Sequence, residues 1–323
     1  MRVLVEHYRQ EIPRTDWAEL DDSQKMMVAF PGVLYSTVLF MLGRTQEAHR
    51  MFAEGIGNLE RAFGKHDERV VEEYGRLAEM MRQQRDEARA LEYGETFASR
   101  TAQLKGDSHP ETLQAKLRVA QTRNVLDRGQ DTEHNLASMR AVVEAAEAEG
   151  QKETLAKGQR LLASTLFVRG KHEEALQIYS RLVPLSVGVF GANDYFTVEV
   201  QAQLGVLLGT LGRHDEALGV LRGVREASQK DAYFKTRYDV MVARQQLARS
   251  AAARDQLSEA IEVLVEMEQH LDEEMARVGE HDQLHPGLLD IKTSNLVDLG
   301  MLLFRQALLE DALLRLESAK TLL

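Results

Sequence analysis

The 323-residue sequence predicts an all-α fold, an α-α superhelix of about seven helix pairs, and three observations carry that expectation. A short motif recurs: LGRTQEAHRMF from Leu42, VRGKHEEALQIY from Val168, LGRHDEALGVL from Leu211 and a weaker RDQLSEAIEVL from Arg254. Twelve residues before most motif alanines stands a second small residue (Ser36, Ala163, Gly205, Ala248, Gly300), usually after a leucine such as Leu162, Leu204, Leu247 or Leu299. Five prolines and few aromatics, against abundant Ala, Leu, Glu and Arg, leave little material for strands. Two small residues per repeat mean two closely packed helices, because a missing side chain lets backbones approach while the adjacent leucine fills the neighbouring groove.

The N-terminal stretch, MRVLVEHYRQEIPRTDWAELDDSQK, reads as a short helix and a Pro-containing connection, with residues 1–22 as a cap and Trp17 packed on the first pair. The array follows over 23–323, in units of about 23–63, 64–105, 106–149, 150–190, 191–229, 230–278 and 279–323. The motif alanine falls at Ala48, Ala88, Ala175, Ala217 and Ala260, giving gaps of 40, 87, 42 and 43. The long gap spans two units, and His134 in RGQDTEHNL takes the missing alanine's place. A last copy, RQALLEDALLRL, places Ala312 fifty-two residues after Ala260, with about ten extra residues near MARVGEHDQLHPG.

Within a unit, Gly43, Gly129, Gly170 and Gly212 end the first helix, since glycine takes the left-handed C-terminal conformation at little cost. Between units, the turns open at Gly64, Gly106, Gly150, Gly191 and Gly279; Asp, Ser and Asn then cap the next helix, and Pro110 and Pro286 start one without needing a donor amide. The expected pairs are 24–42 with 45–63, 67–83 with 86–104, 110–127 with 132–148 and 153–169 with 172–190, with three more to the end. The final AKTLL helix carries Leu313, Leu314, Leu316, Leu322 and Leu323 without a polar capping helix. Unless it turns that leucine stripe inward, the natural chain continues there, or a partner or second copy packs on it.

The net charge of -11 disfavours nucleic-acid and anionic-membrane binding, which rely on Lys and Arg. Zero cysteines exclude disulfides, thiolate metal sites and a Cys nucleophile, and point to the cytoplasm. No secretory leader or membrane-length apolar run is read. Walker, dinucleotide, nucleophile-elbow and His-Glu-x-x-His motifs are missing, so neither enzyme chemistry nor a cofactor is expected. His281 and His285 have metal-like spacing, but they sit in a turn with no further ligand set, and no metal site is predicted.

The Leu-Gly, Gly-Arg and Glu-Ala pattern with its His109-Pro110 turn resembles the long tetratricopeptide repeats of kinesin light chains. That resemblance implies a superhelical solenoid whose first helices line a concave, acidic-peptide-accepting groove. It does not extend to motor attachment, since no heptad coiled coil lies upstream. By periodicity the inward positions are Phe30, Val33, Thr37 and Phe40; Lys116, Val119, Arg123 and Leu126; Lys157, Arg160, Ser164 and Phe167; Glu199, Ala202 and Val206; Arg244, Gln245 and Arg249; and Ser294, Val297, Met301 and Phe304. The candidate partner-binding residues are Lys116, Arg123, Lys157, Arg160, Phe167, Arg244 and Arg249, basic and apolar in an acidic chain, which suits an acidic, partly hydrophobic segment of another protein. The competing view of these bases is pairing with neighbours such as Glu153, Asp127 or Glu199. Function therefore reads as a non-catalytic adaptor or scaffold, or alternatively as the sensor or regulatory repeat arm of a larger signalling protein.

Overall fold

The computed structural model describes residues 16–126, 132–231, 234, 237–277, 286–306 and 308–322, and these are helical without strands. Two compact units divide the chain, residues 1–154 and 155–323. The first contains a 3-10 turn (Trp17–Glu19) and helices α1 (Asp22–Ala29), α2 (Pro31–Met41), α3 (Thr45–Phe63), α4 (Glu68–Gln83), α5 (Glu87–Lys105), α6 (Pro110–Leu126) and α7 (Thr132–Ala148). With α8 (Lys152–Val168) starting at the boundary, the second contains α9 (His172–Phe190), α10 (Tyr195–Thr210), α11 (His214–Lys230), α12 (Tyr238–Ala253), α13 (Leu257–Arg277), α14 (Pro286–Arg305) and α15 (Leu309–Leu322).

Helix ends follow the expected chemistry. Asp21 and Gln24 form a reciprocal capping box at α1, with both bonds at 2.9 Å. Asp67, Asp86 and Asp194 accept amide hydrogens at the starts of α4, α5 and α10. The Glu111 amide donates to His109 Nδ1 at 3.3 Å, so the His-Pro turn caps α6. Gly43, Gly170 and Gly212 have φ between 72° and 75° at the turn within a pair, and Arg85 and Asp255 occupy the same place in their repeats with φ of 59° and 60°.

In the first unit α2 packs on α3, α4 on α5, and α6 on both α5 and α7. Its core joins Leu39, Phe40, Met51, Phe52, Leu59, Leu77 and Met81, with Trp17 half-buried against it as expected. In the second unit each helix from α9 onward contacts its successor, and α12 also packs on α10 and α14. Tyr179, Leu182, Leu207, Leu221, Leu247 and Leu264 are buried there.

Three details differ from the sequence reading. The first long helix is broken at Phe30, because Pro31 has no amide to donate and starts α2 afresh. In the second repeat the small residue is the buried Ala90 and not the exposed Ala88. In the third it is the buried Asn135 and not the exposed His134. The spacing thus becomes 42, 45 and 40 between Ala48, Ala90, Asn135 and Ala175. Leu77-Ala78 and Val119-Ala120 supply the large-small pairs that these repeats had lacked. Asn135 Nδ2 donates to the Ala120 carbonyl at 3.1 Å and to Asn124 Oδ1 at 2.6 Å, which pairs the donor half of a polar side chain in an alanine's place.

The leucine-rich end also resolves: Ala312 and Ala319 turn inward, and Leu313, Leu314 and Leu316 stay exposed. Among the described residues no helix is long and apolar enough to cross a membrane. The His281–His285 turn, Asp127, Gly129, residues 1–15 and Leu323 lie outside the described residues.

Candidate partner-binding surfaces

In the second unit the first helices of successive pairs are joined by ion pairs. Arg160 on α8 donates to Glu199 on α10 at 2.8 Å, and its guanidinium lies 5.6 Å from the Phe196 ring centre. Burial pushes the Glu199 carboxyl above its ordinary range, with Arg160 opposing the shift. Arg249 on α12 pairs with Asp298 on α14 at 2.8 Å and donates to Ser294 Oγ at the same distance. Gln245 reaches the same serine at 2.8 Å.

Beyond this pair α14 exposes Val297, Met301 and Phe304 at 40%, 57% and 62%, in one stripe along the helix. Their i, i+4, i+7 spacing puts them on the face that carries Ser294 and Asp298, as the sequence reading placed them. Phe167 is half-buried with its ring 5.5 Å from His172, and Lys157 is half-buried one helical turn before Arg160.

Arg244 does not belong to that surface. Its side chain is 1% exposed and points between α12 and α13, donating to Glu266 at 3.1 Å and to His270 Nδ1 at 2.9 Å. Arg225 holds the same Glu266 carboxylate at 2.6 Å. Desolvation draws the Arg244 pKa down while Glu266 resists. A position only one residue from Gln245 is rotated by about 100° around the helix, and sequence alone gave no sign of which of the two faced inward.

Lys116 and Arg123 belong to the first unit and to a different face. With Asn135 and Ala120 as the repeat's small residues, they stand on the side of α6 toward the paired second helices, α5 and α7. Lys116 pairs with Asp107 at 2.7 Å, and Arg123 pairs with Glu95. Both line the rim of a cavity of about 570 Å3 above α6, whose apolar lining includes Ala98, Leu113, Val119 and Val142. So the seven predicted residues divide among three environments: Lys157, Arg160, Phe167 and Arg249 on first-helix faces, Arg244 in the interior, Lys116 and Arg123 at the cavity. The bases with a resolved partner are neutralised by carboxylates of the array itself, the alternative that the sequence left open.

Paired antiparallel helices at this period, with small residues where they cross, are matched over residues 154–230 by the family model of the tetratricopeptide repeat. Those residues are tetratricopeptide repeats. The tetratricopeptide fold extends across the chain in comparisons with solved structures. A putative kinesin light chain of Podosopora anserina with nearly identical TPR-like repeats aligns with TM-score 0.52 and 18% identity, over 66% of this chain and 96% of that one. The apo quorum sensor NprR of B. thuringiensis aligns with TM-score 0.56 and 14% identity, over 99% and 92%. A Rap protein complexed with competence and sporulation factor aligns with TM-score 0.51 and 12% identity, over 95% and 77%. No curated protein matches the sequence. At such identities the likeness establishes the tetratricopeptide architecture, of the kinesin-light-chain-like kind that the repeat motif suggested.

Proposed function

We propose that this chain is a non-catalytic, cytoplasmic interaction scaffold that holds a segment of a partner protein against the first-helix face of its second unit. The observation that carries the reading is the exposed Val297, Met301 and Phe304 stripe on α14, beside the half-exposed Arg249. Apolar side chains of a partner would gain roughly 25 cal/mol per Å2 by covering that stripe. A partner carboxylate would compete with Asp298 for Arg249 and with Glu199 for Arg160, which selects acidic, partly hydrophobic segments over basic ones. The complex of the similar Rap protein with competence and sporulation factor supports a repeat array of this kind as a receptor for a protein or peptide ligand.

The similarity to the quorum sensor NprR over nearly the full length of both chains favours, as a second reading, the repeat arm of a ligand-responsive regulator. Both readings place the ligand on the same face and differ in what binding triggers.

Affinity capture from native lysate tests the proposal, with the wild type beside a Lys157→Glu, Arg160→Glu, Arg249→Glu variant of unchanged helicity. A protein or peptide retained by the wild type and lost from the variant is the expected result. Equal retention by both would remove this face as the binding site.

A further inference from the structure

The cavity above α6 lies in the first unit, and its chemistry differs from that of the α14 stripe. At two other joints successive second helices are bridged by an ion pair. Between α11 and α13, Arg225, eight residues after Ala217, pairs with Glu266, six residues after Ala260, at 2.6 Å. Between α3 and α5, Glu60, twelve after Ala48, pairs with Arg100, ten after Ala90, at 2.7 Å. At the α5–α7 joint the same four places hold Ala98, Ala141, Ala102 and Ala145. Neither bridge can form there, and Ala98, Ala141 and Ala145 line the groove in place of longer side chains.

The groove has an apolar floor on α6 and runs between two helical walls, so a third helix laid lengthwise can place a row of large side chains where the bridges are missing. At each of its two ends stands an ion pair whose carboxylate is the partner more exposed to solvent. Asp107 at one end is 84% exposed, while its partner Lys116 is 37% exposed; Glu95 at the other is 45% exposed, against 29% for Arg123. Asp107 is held below the usual carboxylate range by its hydrogen bond from Lys116 and so stays ionised. From Glu95 to the end of α5 the wall rises about 15 Å, the length of roughly ten helical residues.

We propose that the α5–α6–α7 groove is a second docking site, for an amphipathic helix of a partner protein with bulky apolar residues on one face and Lys or Arg at both ends of that face. The carboxylates select the basic flanks, and the apolar floor supplies the contact area. This ligand is opposite in charge to the one proposed for the α14 face, so the two sites do not compete for one segment.

A phage-displayed library of sixteen-residue helical peptides, panned on the full chain, tests it. Selected peptides should carry apolar residues at i, i+4 and i+7 with Lys or Arg about ten positions apart. Their affinity should fall at least tenfold in Ala141→Trp, which fills the groove from an exposed position and leaves the core untouched, and likewise in Ala145→Leu. It should fall severalfold in Glu95→Gln, Asp107→Asn and with added salt. Circular dichroism confirms that each variant keeps its helicity. The proposal is overturned if panning enriches acidic or all-polar peptides, if the selected peptides bind both groove-filling variants as they bind the wild type, or if no groove-dependent peptide is recovered.

Discussion

Two glycines in α3, two residues apart, should respond to alanine in opposite directions. A Cβ on Gly55 would lie 2.6 Å from the Val33 nitrogen and 2.8 Å from the Gly32 carbonyl carbon, whereas one on Gly57 would meet nothing within 4 Å. Ordinary contact needs about 3.5 Å or more, so the Gly55 methyl is roughly 1 Å too close to backbone that cannot rotate away. Val33 is also tied by its amide to the Phe30 carbonyl at 3.0 Å, so relief requires the start of α2 to move as a piece. Alanine in a helix interior gains about 1 kcal/mol over glycine, and overpacking costs about 1–3 kcal/mol. With the neighbour being main chain, the upper part of that range applies, and Gly55→Ala should lose about 2 kcal/mol net. Gly57→Ala should gain about 1 kcal/mol. The variants should therefore differ by about 3 kcal/mol in guanidinium unfolding. Because repeat arrays can unfold piecewise, amide exchange in α2 and α3 is the more direct reading. If Gly55→Ala proves as stable as Gly57→Ala, α2 and α3 do not approach as closely as described, and the small-residue account of the pair crossing fails.

Three further outcomes follow from the same geometry. Glu266→Leu strands the buried Arg244 and should cost about 3–5 kcal/mol, whereas Arg244→Met leaves Glu266 paired with Arg225 and should cost less, about 2 kcal/mol or below, both read by denaturant unfolding. The Glu73 carboxyl is raised by burial, with Arg76 opposing, so its contribution to stability is complete below the ordinary carboxyl value of 4.5 and is lost as pH rises through the folded-state value. Glu73→Gln should therefore be the more stable form at pH 7, with the difference vanishing in acid, as thermal melts across pH would show. Arg85→Gly relieves a left-handed arginine and should stabilise by about 0.5–1 kcal/mol in the same melts.

The sequence by itself determined the helices and their pairing, because those depend on local chemistry repeated along the chain. At Gly43, Arg85, Gly170, Gly212 and Asp255 a glycine or a left-handed substitute turns the chain within a pair, aspartate opens helices α4 and α10, and a small residue recurs where two helices must cross. Tertiary structure decided what depends on rotation and neighbours. Ala88 and Ala90 are equally plausible as repeat alanines in a string of letters, and only contact with the preceding helix buries one and leaves the other exposed. Arg244 and Arg249 are alike in type and helix, yet five residues of a 3.6-residue turn carry one into the α13 interface beside Glu266 and the other to the α14 face beside Asp298. The α5–α7 groove had a trace in the sequence, alanines where the α3–α5 and α11–α13 joints each carry a charged pair, but it became legible only when Asn135 set the register of the third repeat. A vacancy is a property of several helices at once, and no single segment encodes it.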